Sequence, residues 1–439
     1  MVTGVFIMRN KYIHLAFFLC ILLILASGLR TVTYAEETVE STEETVPASN
    51  PGVTTNAIPG WPQGPEIPAE SAFVQEVSTD TILYAKNMDE ALYPSSSVKL
   101  MTCLVALENS SLTDEVVMTA TGVSGVTDGG AHIAAQIDEV FTMEQCLYAI
   151  MLVSANDVAL QVAEHVGGSV EGFVDMMNQK AAEIGCTDTL FTNPTGLPDP
   201  AQHTTAHDLA LITKAAMADE TFRTICSTTS YTIPATNVSG GERALSNRFT
   251  MTEPSSDAYY PDCIGGKEGY TEASGSVLSC AATRGDLTLV CVVMMGQADM
   301  TDDQAIQLLN YAFDNFKIED LGTDDFHVIS GGTVVYPSAA SADNLEIKDV
   351  PMENGDLDRT YLFGGAVVGH AIAEVPAVED NSVSIASDKH LQEAADYSKQ
   401  INLIPYFLIG AAGILLLFFL IRAMKKVLHR PPADHSTDD

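Results

Sequence analysis

Basic side chains are scarce: 21 Lys and Arg stand against 58 Asp and Glu in 439 residues, a formal net charge of −37. So acidic a chain repels a phosphate backbone, which excludes a nucleic-acid partner, and the charge reads instead as a solvated surface. Metal-ligand patterns are missing as well. His132, His203 and His207 fall in no H-E-x-x-H spacing, and no two cysteines stand as C-x-x-C, so neither a metal nor a cofactor is expected. Tryptophan is limited to Trp61, and no internal repeat is visible.

Long hydrophobic runs are confined to the two ends. Near the start, Arg9 and Lys11 precede the run LAFFLCILLILASGL, and Thr33-Tyr34-Ala35 closes it with small residues, which predicts an export signal over residues 1–35. Translation can begin at Met1 or at Met8, and an uncleaved N-terminal anchor is the alternative. Near the other end, Leu403 to Ile421 is an uncharged apolar run of 19 residues, long enough for a transmembrane helix. Arg422, Lys425, Lys426 and Arg430 follow it, which places a cytoplasmic tail at 422–439 and everything between signal and span outside the cell membrane. Cys20 leaves with the signal. The seven remaining cysteines lie mostly in apolar stretches and read as buried thiols, with a disulfide from Cys263 to Cys280 or Cys291 as the open alternative.

Between the ends the composition changes three times. Residues 36–70 are rich in Glu, Thr, Pro, Ser and Gly, and read as a disordered spacer in which Trp61 either caps the folded domain or is exposed. Residues 71–320 mix strand and helix signals. Ala72 to Val77 and Thr81 to Ala85 read as paired strands, and Lys99 to Leu107 as a helix apolar nearly all round. Thr142-x-x-Gln145 and Thr205-x-x-Asp208 resemble capping boxes. Gly275 to Ala282 and Leu287 to Met294 flank Thr283-Arg-Gly-Asp286 as a hairpin, and Asp303 to Phe316 returns to helical spacing. The fold class is therefore α+β, helices packed with an antiparallel sheet. Short β-rich runs broken by Gly, Pro, Asn and Asp predict a small second domain over 326–388, followed by a juxtamembrane segment at 389–402.

Three short elements carry chemistry. Ser96 and Lys99 stand three apart at the start of the apolar helix, on one face. A serine hydroxyl needs a base close by to become a nucleophile, and a lysine among apolar groups loses proton affinity because its charged form is desolvated. The helix N-terminus adds partial positive charge beside Ser96. Ser154-Ala155-Asn156 interrupts two apolar helical stretches, where a hydroxyl and an amide can relay a proton and hold a carbonyl; Asn156 also suits an N-cap of the helix that follows. Lys267-Glu268-Gly269, after Gly265-Gly266, ends a probable strand whose glycines allow another chain or a ligand close against the backbone.

In this order, with Tyr93-Pro94-Ser95-Ser96-Ser97-Val98-Lys99, Leu152-Val153-Ser154-Ala155-Asn156-Asp157 and Gly266-Lys267-Glu268-Gly269-Tyr270-Thr271, the elements resemble the S-x-x-K, S-D-N and K-T-G motifs of penicillin-recognising serine enzymes. The surrounding words, with Phe191 to Leu197 and His203 to Asp208, are similar to the D-alanyl-D-alanine carboxypeptidases, the low-molecular-mass penicillin-binding proteins, over about residues 70–320. That resemblance implies a β-lactamase/transpeptidase-like fold followed by a small β-rich domain and a C-terminal transmembrane helix. It implies catalytic roles for Ser96 as acylated nucleophile, Lys99 as its base, and Ser154 and Asn156 as proton relay and positioning groups. Lys267, Glu268, Gly269 and Tyr270 would bind substrate, with the N–H groups of Ser96 and Tyr270 as oxyanion donors. The implied partners are peptidoglycan stem peptides, β-lactam antibiotics as acylating inhibitors, and the membrane.

Two positions depart from the family's pattern. Glu268 stands where threonine normally helps to hold the substrate carboxylate, and Gly296 to Asp303, GQADMTDD, lacks the arginine commonly found there. Reduced or lost catalysis, in a wall-binding protein, is the corresponding alternative. A β-lactamase is disfavoured because no Glu-x-x-x-Asn lies between Asp157 and Lys267 to activate a deacylating water.

Overall fold

Strand and helix periods separate along the chain in the computed structural model, which describes residues 52–125, 130–297, 300–322 and 327–375. The expected export signal, the first part of the spacer, the end of the β-rich domain, the juxtamembrane segment, the transmembrane span and the tail lie outside the described residues. Among the described residues no helix is long and apolar enough to cross a membrane.

A hairpin of β1 (Ser71–Glu76) and β2 (Ile82–Lys86) is followed by a single 3-10 turn, Ser95–Ser97, that leads into helix α1 (Val98–Asn109). Short strands β3 (Glu115–Val117) and β4 (Val140–Thr142) enclose α2 (Ala120–Ser124). Helices α3 (Met143–Val153), α4 (Asn156–Gly167), α5 (Val170–Glu183), α6 (Ala206–Ala218) and α7 (Glu220–Ser227) come next. A small hairpin, β5 (Ser230–Ile233) and β6 (Arg243–Ser246), precedes the long strands β7 (Cys263–Thr271), β8 (Gly275–Arg284) and β9 (Leu287–Gly296) and then helix α8 (Thr301–Asn315). The last strands are β10 (Phe316–Asp320), β11 (Val328–Pro337), β12 (Glu346–Pro351), β13 (Leu357–Phe363) and β14 (Ala366–Ala373).

The central sheet is antiparallel with order β2-β1-β9-β8-β7, so the strand bearing Lys267, Glu268 and Gly269 is an edge. Both faces of this sheet are covered. Val290, Val292 and Met294 pack with α1 and α3 to α7, whereas Leu289, Cys291 and Val293 pack toward α8. This double burial explains why Leu287 to Met294 is almost continuously apolar rather than alternating. Helix α1 is enclosed likewise, with every residue from Val98 to Ala106 buried. At Thr142 the expected capping box is complete; at Thr205 it is half made, because the Asp208 carboxylate accepts from Thr187, Asp188 and Thr189 instead.

Three expectations need correction. From Val53 the spacer is ordered against the fold. Four of its apolar residues, Val53, Trp61, Ile67 and Ala69, are buried and Ile58 packs against the same core, and composition undercounts so concentrated a set of anchors. Trp61 donates from Nε1 to the Leu83 carbonyl at 3.1 Å and packs on Phe316 and Phe363, while the buried Lys86 ammonium donates to the carbonyls of Ile67 and Ala69. The second sheet, β10-β11-β14-β13-β12, begins at Phe316, since β10 pairs with β11, rather than beyond residue 320. The Lys267-Glu268-Gly269 triplet lies inside β7, not at its end. All seven described cysteines are free thiols; Cys280 and Cys291 face each other across β8 and β9 without a bond.

Candidate active site

Four separate segments converge on the start of α1. Ser96 sits in the 3-10 turn before the helix, and Ser154 Oγ donates to Ser96 Oγ at 3.0 Å. Lys99, three residues on, is fully buried. Its Nζ donates to Asn156 Oδ1 at 2.8 Å and to the Thr195 carbonyl. The predicted quartet Ser96, Lys99, Ser154 and Asn156 is therefore brought together, although Lys99 reaches Asn156 and Thr195 rather than hydrogen-bonding directly to Ser96.

The local sequence explains how each group is held. Ser154 closes α3 in a left-handed conformation, φ 61°, which turns its hydroxyl out of the helix and toward Ser96. Asn156 is the first residue of α4 rather than its N-cap, which is Ala155, so the Asn156 amide is free to accept from Lys99. Its own N–H donates to the Ala131 carbonyl, and the neighbouring Asp157 carboxylate accepts from the N–H groups of Ile133 and Ala135. These bonds fasten the α3–α4 break to the 130–135 segment.

The Phe191 to Leu197 segment contributes through its backbone. Asn193 Oδ1 accepts from the N–H groups of Thr195 and Gly196 and from the Thr195 hydroxyl, bending the chain so that the Pro194 and Thr195 carbonyls meet Thr102 and Lys99 on α1. Gly196 has φ 80°, and a Cβ there would lie 1.8 Å from the Ser95 carbonyl oxygen. On the opposite side, a Cβ on Gly269 would lie 2.6 Å from the Ser96 nitrogen and 2.7 Å from Ser95 Oγ. The close approach expected of the glycine-rich strand is thus made to the nucleophile's own segment. Ser95, between the two glycines, is itself left-handed at φ 50°; with Ser154 it places two strained residues beside Ser96, a conformation that costs roughly 1–3 kcal/mol per residue.

Burial sets the electrostatics. Desolvation holds Lys99 well below the usual lysine range, and the neighbouring Lys267 ammonium lowers it further. The two N–H donors of a neutral amine match the two acceptors that Lys99 has, which leaves its lone pair to take a proton. Lys267, only 1 % exposed, is brought down to about 8, mainly by burial, with Glu268 opposing the shift. Glu268 is pushed up to about 7 by burial and by Asp302, against the pull of Lys267.

Lys267 and Glu268 line a cleft of about 660 Å³, within the range of sites that enclose a small ligand. Ser96, Ser154, Asn156, Lys267 and Gly269 form its inner part, Glu268 is in its wall, and Tyr270, 62 % exposed, is at its mouth. The cleft also takes residues that no motif announced. Arg248, whose N–H donates to the Leu152 carbonyl just before the second motif, supplies a cation from a segment 19 positions before Lys267, although the stretch from Gly296 to Asp303 contains none. Asp302, in the first turn of α8, contributes a second carboxylate. Nothing around either residue distinguishes it in sequence; only the packing of α8 on β8 and β9 and the loop before β7 bring them in. His203 and His207 lie apart from this cleft, beside Asp188 and Asp89.

A serine at a helix start, a buried lysine one turn on, a hydroxyl and an amide from a helix break, and a lysine on an edge strand define the penicillin-binding, transpeptidase-like class of α+β folds. A family model described as D-alanyl-D-alanine carboxypeptidase matches residues 59–298, more than half of the chain. The chain belongs to that family. It is similar to the D-alanyl-D-alanine carboxypeptidase DacB2 of Mycobacterium tuberculosis, 34% identical over 258 residues that cover 57% of this chain and 84% of that protein. It is also similar to DacF of Bacillus subtilis, 29% identical over 259 residues covering 58% of this chain and 64% of that one. A solved D-alanyl-D-alanine carboxypeptidase from M. tuberculosis superposes with a TM-score of 0.53 at 32% identity, covering 58% of this chain and 95% of that one. Penicillin-binding protein 6B of Escherichia coli, at 24% identity and a TM-score of 0.61 over 72% of this chain and 98% of its own, shows the shared fold.

Proposed function

We propose that this chain is a serine-type D-alanyl-D-alanine carboxypeptidase that removes the terminal D-alanine of peptidoglycan stem peptides through an acyl-enzyme on Ser96. The observation that carries the reading is the pairing of a serine hydroxyl, accepting from Ser154, with a fully buried lysine whose hydrogen-bond partners are neutral acceptors. Ser96 Oγ bonds to the penultimate D-alanine carbonyl carbon as its proton passes to Lys99, directly or through Ser154 once that hydroxyl rotates. Collapse of the tetrahedral intermediate breaks the peptide bond, and the leaving amine takes a proton through Ser154. Water then hydrolyses the acyl-enzyme. The N–H groups of Ser96 and Tyr270, on segments in contact through Gly269, are the oxyanion donors, and each such donor is worth about 10²–10³ in rate. Lys267 adds positive charge close to the developing oxyanion. Export and a C-terminal anchor, read from the two apolar runs, would hold this chemistry outside the cell membrane.

Release of D-alanine from diacetyl-L-Lys-D-Ala-D-Ala by the purified ectodomain tests the reading. The expected result is turnover that disappears in Ser96→Ala. A second reading, a wall-binding protein without turnover, is favoured by the two carboxylates in the cleft, and binding of the peptide without D-alanine release would select it.

A further inference from the structure

Glu268 and Asp302 occupy the part of the cleft wall where, in the family's pattern, threonine and arginine hold the substrate's terminal carboxylate. Both residues line the cleft. Asp302 is fixed by the Thr250 hydroxyl, which donates to Oδ2 at 2.7 Å, whereas its Oδ1 is buried with no partner among the described residues. Lys267 is buried and lines the same cleft. A buried acceptor without a partner, set in the cleft wall, calls for a ligand that supplies the donor it lacks.

The charges on that wall decide what the ligand carries. Arg248 and Lys267 offset Glu268 and Asp302, so the cleft lacks the surplus of positive charge that would attract a carboxylate. Arg248 lies on the second-motif side, through its N–H bond to Leu152; Glu268 follows Lys267 directly on β7, and Asp302 comes from α8. A substrate carboxylate placed against the last two meets like charge in a partly desolvated setting, which weakens its binding. A carboxamide meets no such repulsion and its N–H groups can donate to Asp302 Oδ1.

We infer that Glu268 and Asp302 are specificity-determining residues that favour substrates whose group beyond the scissile bond ends in an uncharged amide over substrates ending in a free carboxylate. The inference rests on the serine-hydrolase reading of the same cleft. The charged groups that act on Glu268 are Lys267 on its own strand and Asp302 on α8; Arg248 acts on Lys267, and Asp303 on Asp302. Discrimination against the free acid is greatest when Glu268 is ionised, and contracts as the solution is acidified through neutrality.

The test compares diacetyl-L-Lys-D-Ala-D-Ala with its C-terminal carboxamide, as kcat/KM at pH 8 and pH 6, in EDTA so that no divalent cation bridges like charges. The wild type is expected to prefer the amide by about tenfold or more at pH 8, with a smaller ratio at pH 6. Glu268→Gln and Asp302→Asn, which keep size and remove the charge, are expected to raise the rate on the free acid and so to lower the amide-to-acid ratio of kcat/KM by about fivefold or more. A free acid preferred by the wild type, with a ratio that neither variant moves, overturns the inference. Acylation of Ser96 by a penicillin and by its methyl ester separates the two levels. No labelling by either overturns the serine-hydrolase reading and this inference with it; faster labelling by the free acid than by the ester overturns the inference alone.

Discussion

At the inner end of the cleft the reacting groups are tied to different segments of the chain: Ser96 to Ser154, Lys99 to Asn156 and Thr195, Asn156 through its N–H to Ala131. At the outer wall the polar groups are held less completely, with Asp302 Oδ1 left without a partner among the described residues. The inner end is over-determined, as a site must be if strained residues such as Ser95 and Ser154 are to keep their conformations. The outer wall is where substrate must complete the hydrogen bonding. Position and reaction are thus set by one region, and choice of substrate by the other.

Substitutions at the inner end should therefore cost rate, and those at the outer wall should change selectivity and pH dependence. The largest effect is expected for Lys99→Ala, which removes the proton acceptor and should lower acylation of Ser96 by roughly 10³–10⁴-fold, measured by stopped-flow with a chromogenic β-lactam. A decrease below tenfold would move the base elsewhere in the cleft. Next comes Gly196→Ala. Its Cβ would overlap the Ser95 carbonyl at 1.8 Å, so the nucleophile's turn must shift, and a displacement of about 1 Å costs on the order of 10²-fold in kcat. Thermal unfolding should show a loss of roughly 2–3 kcal/mol in the same variant. Unchanged kinetics would show that the turn tolerates movement and that the inner end is not over-determined.

The smallest effect belongs to the outer wall. Because the folded chain holds Glu268 at about 7, above an unfolded value of 4.5, it binds the extra proton and loses stability as pH rises between those values. Glu268→Gln should stabilise the protein by about 2 kcal/mol at pH 8, allowing for partial exposure, and by less than about 1 kcal/mol at pH 5. Equal effects at both pH values would show that the carboxyl is not desolvated.

Much of the inner end was legible in sequence because its chemistry is local or carried by short motifs. Ser96 and Lys99 are one helical turn apart, and Ser154-Ala155-Asn156 marks its own helix break. The strands β8 and β9 and the helices α1 and α8 were legible for the same reason, since their apolar patterns persist over ten or more residues. What sequence could not give is contact between distant segments. Arg248 and Asp302 have ordinary neighbours, and only the order of the central sheet, with β7 at its edge, brings them to one cleft. Trp61 was ambiguous because its partners, Phe316 and Phe363, lie about 250 and 300 positions away and belong to α8's exit and the second sheet. The glycine at 269 was read as room for a ligand, whereas the atoms it admits are those of Ser95 and Ser96.

Peptide mapping by mass spectrometry after incubation of the protein with a penicillin tests the central assignment most directly. A single covalent adduct on the peptide containing Ser96, absent in Ser96→Ala, is the result predicted by the geometry of Ser96, Lys99 and Ser154. An adduct on another residue, or an unmodified protein with both the free acid and the ester, would contradict it.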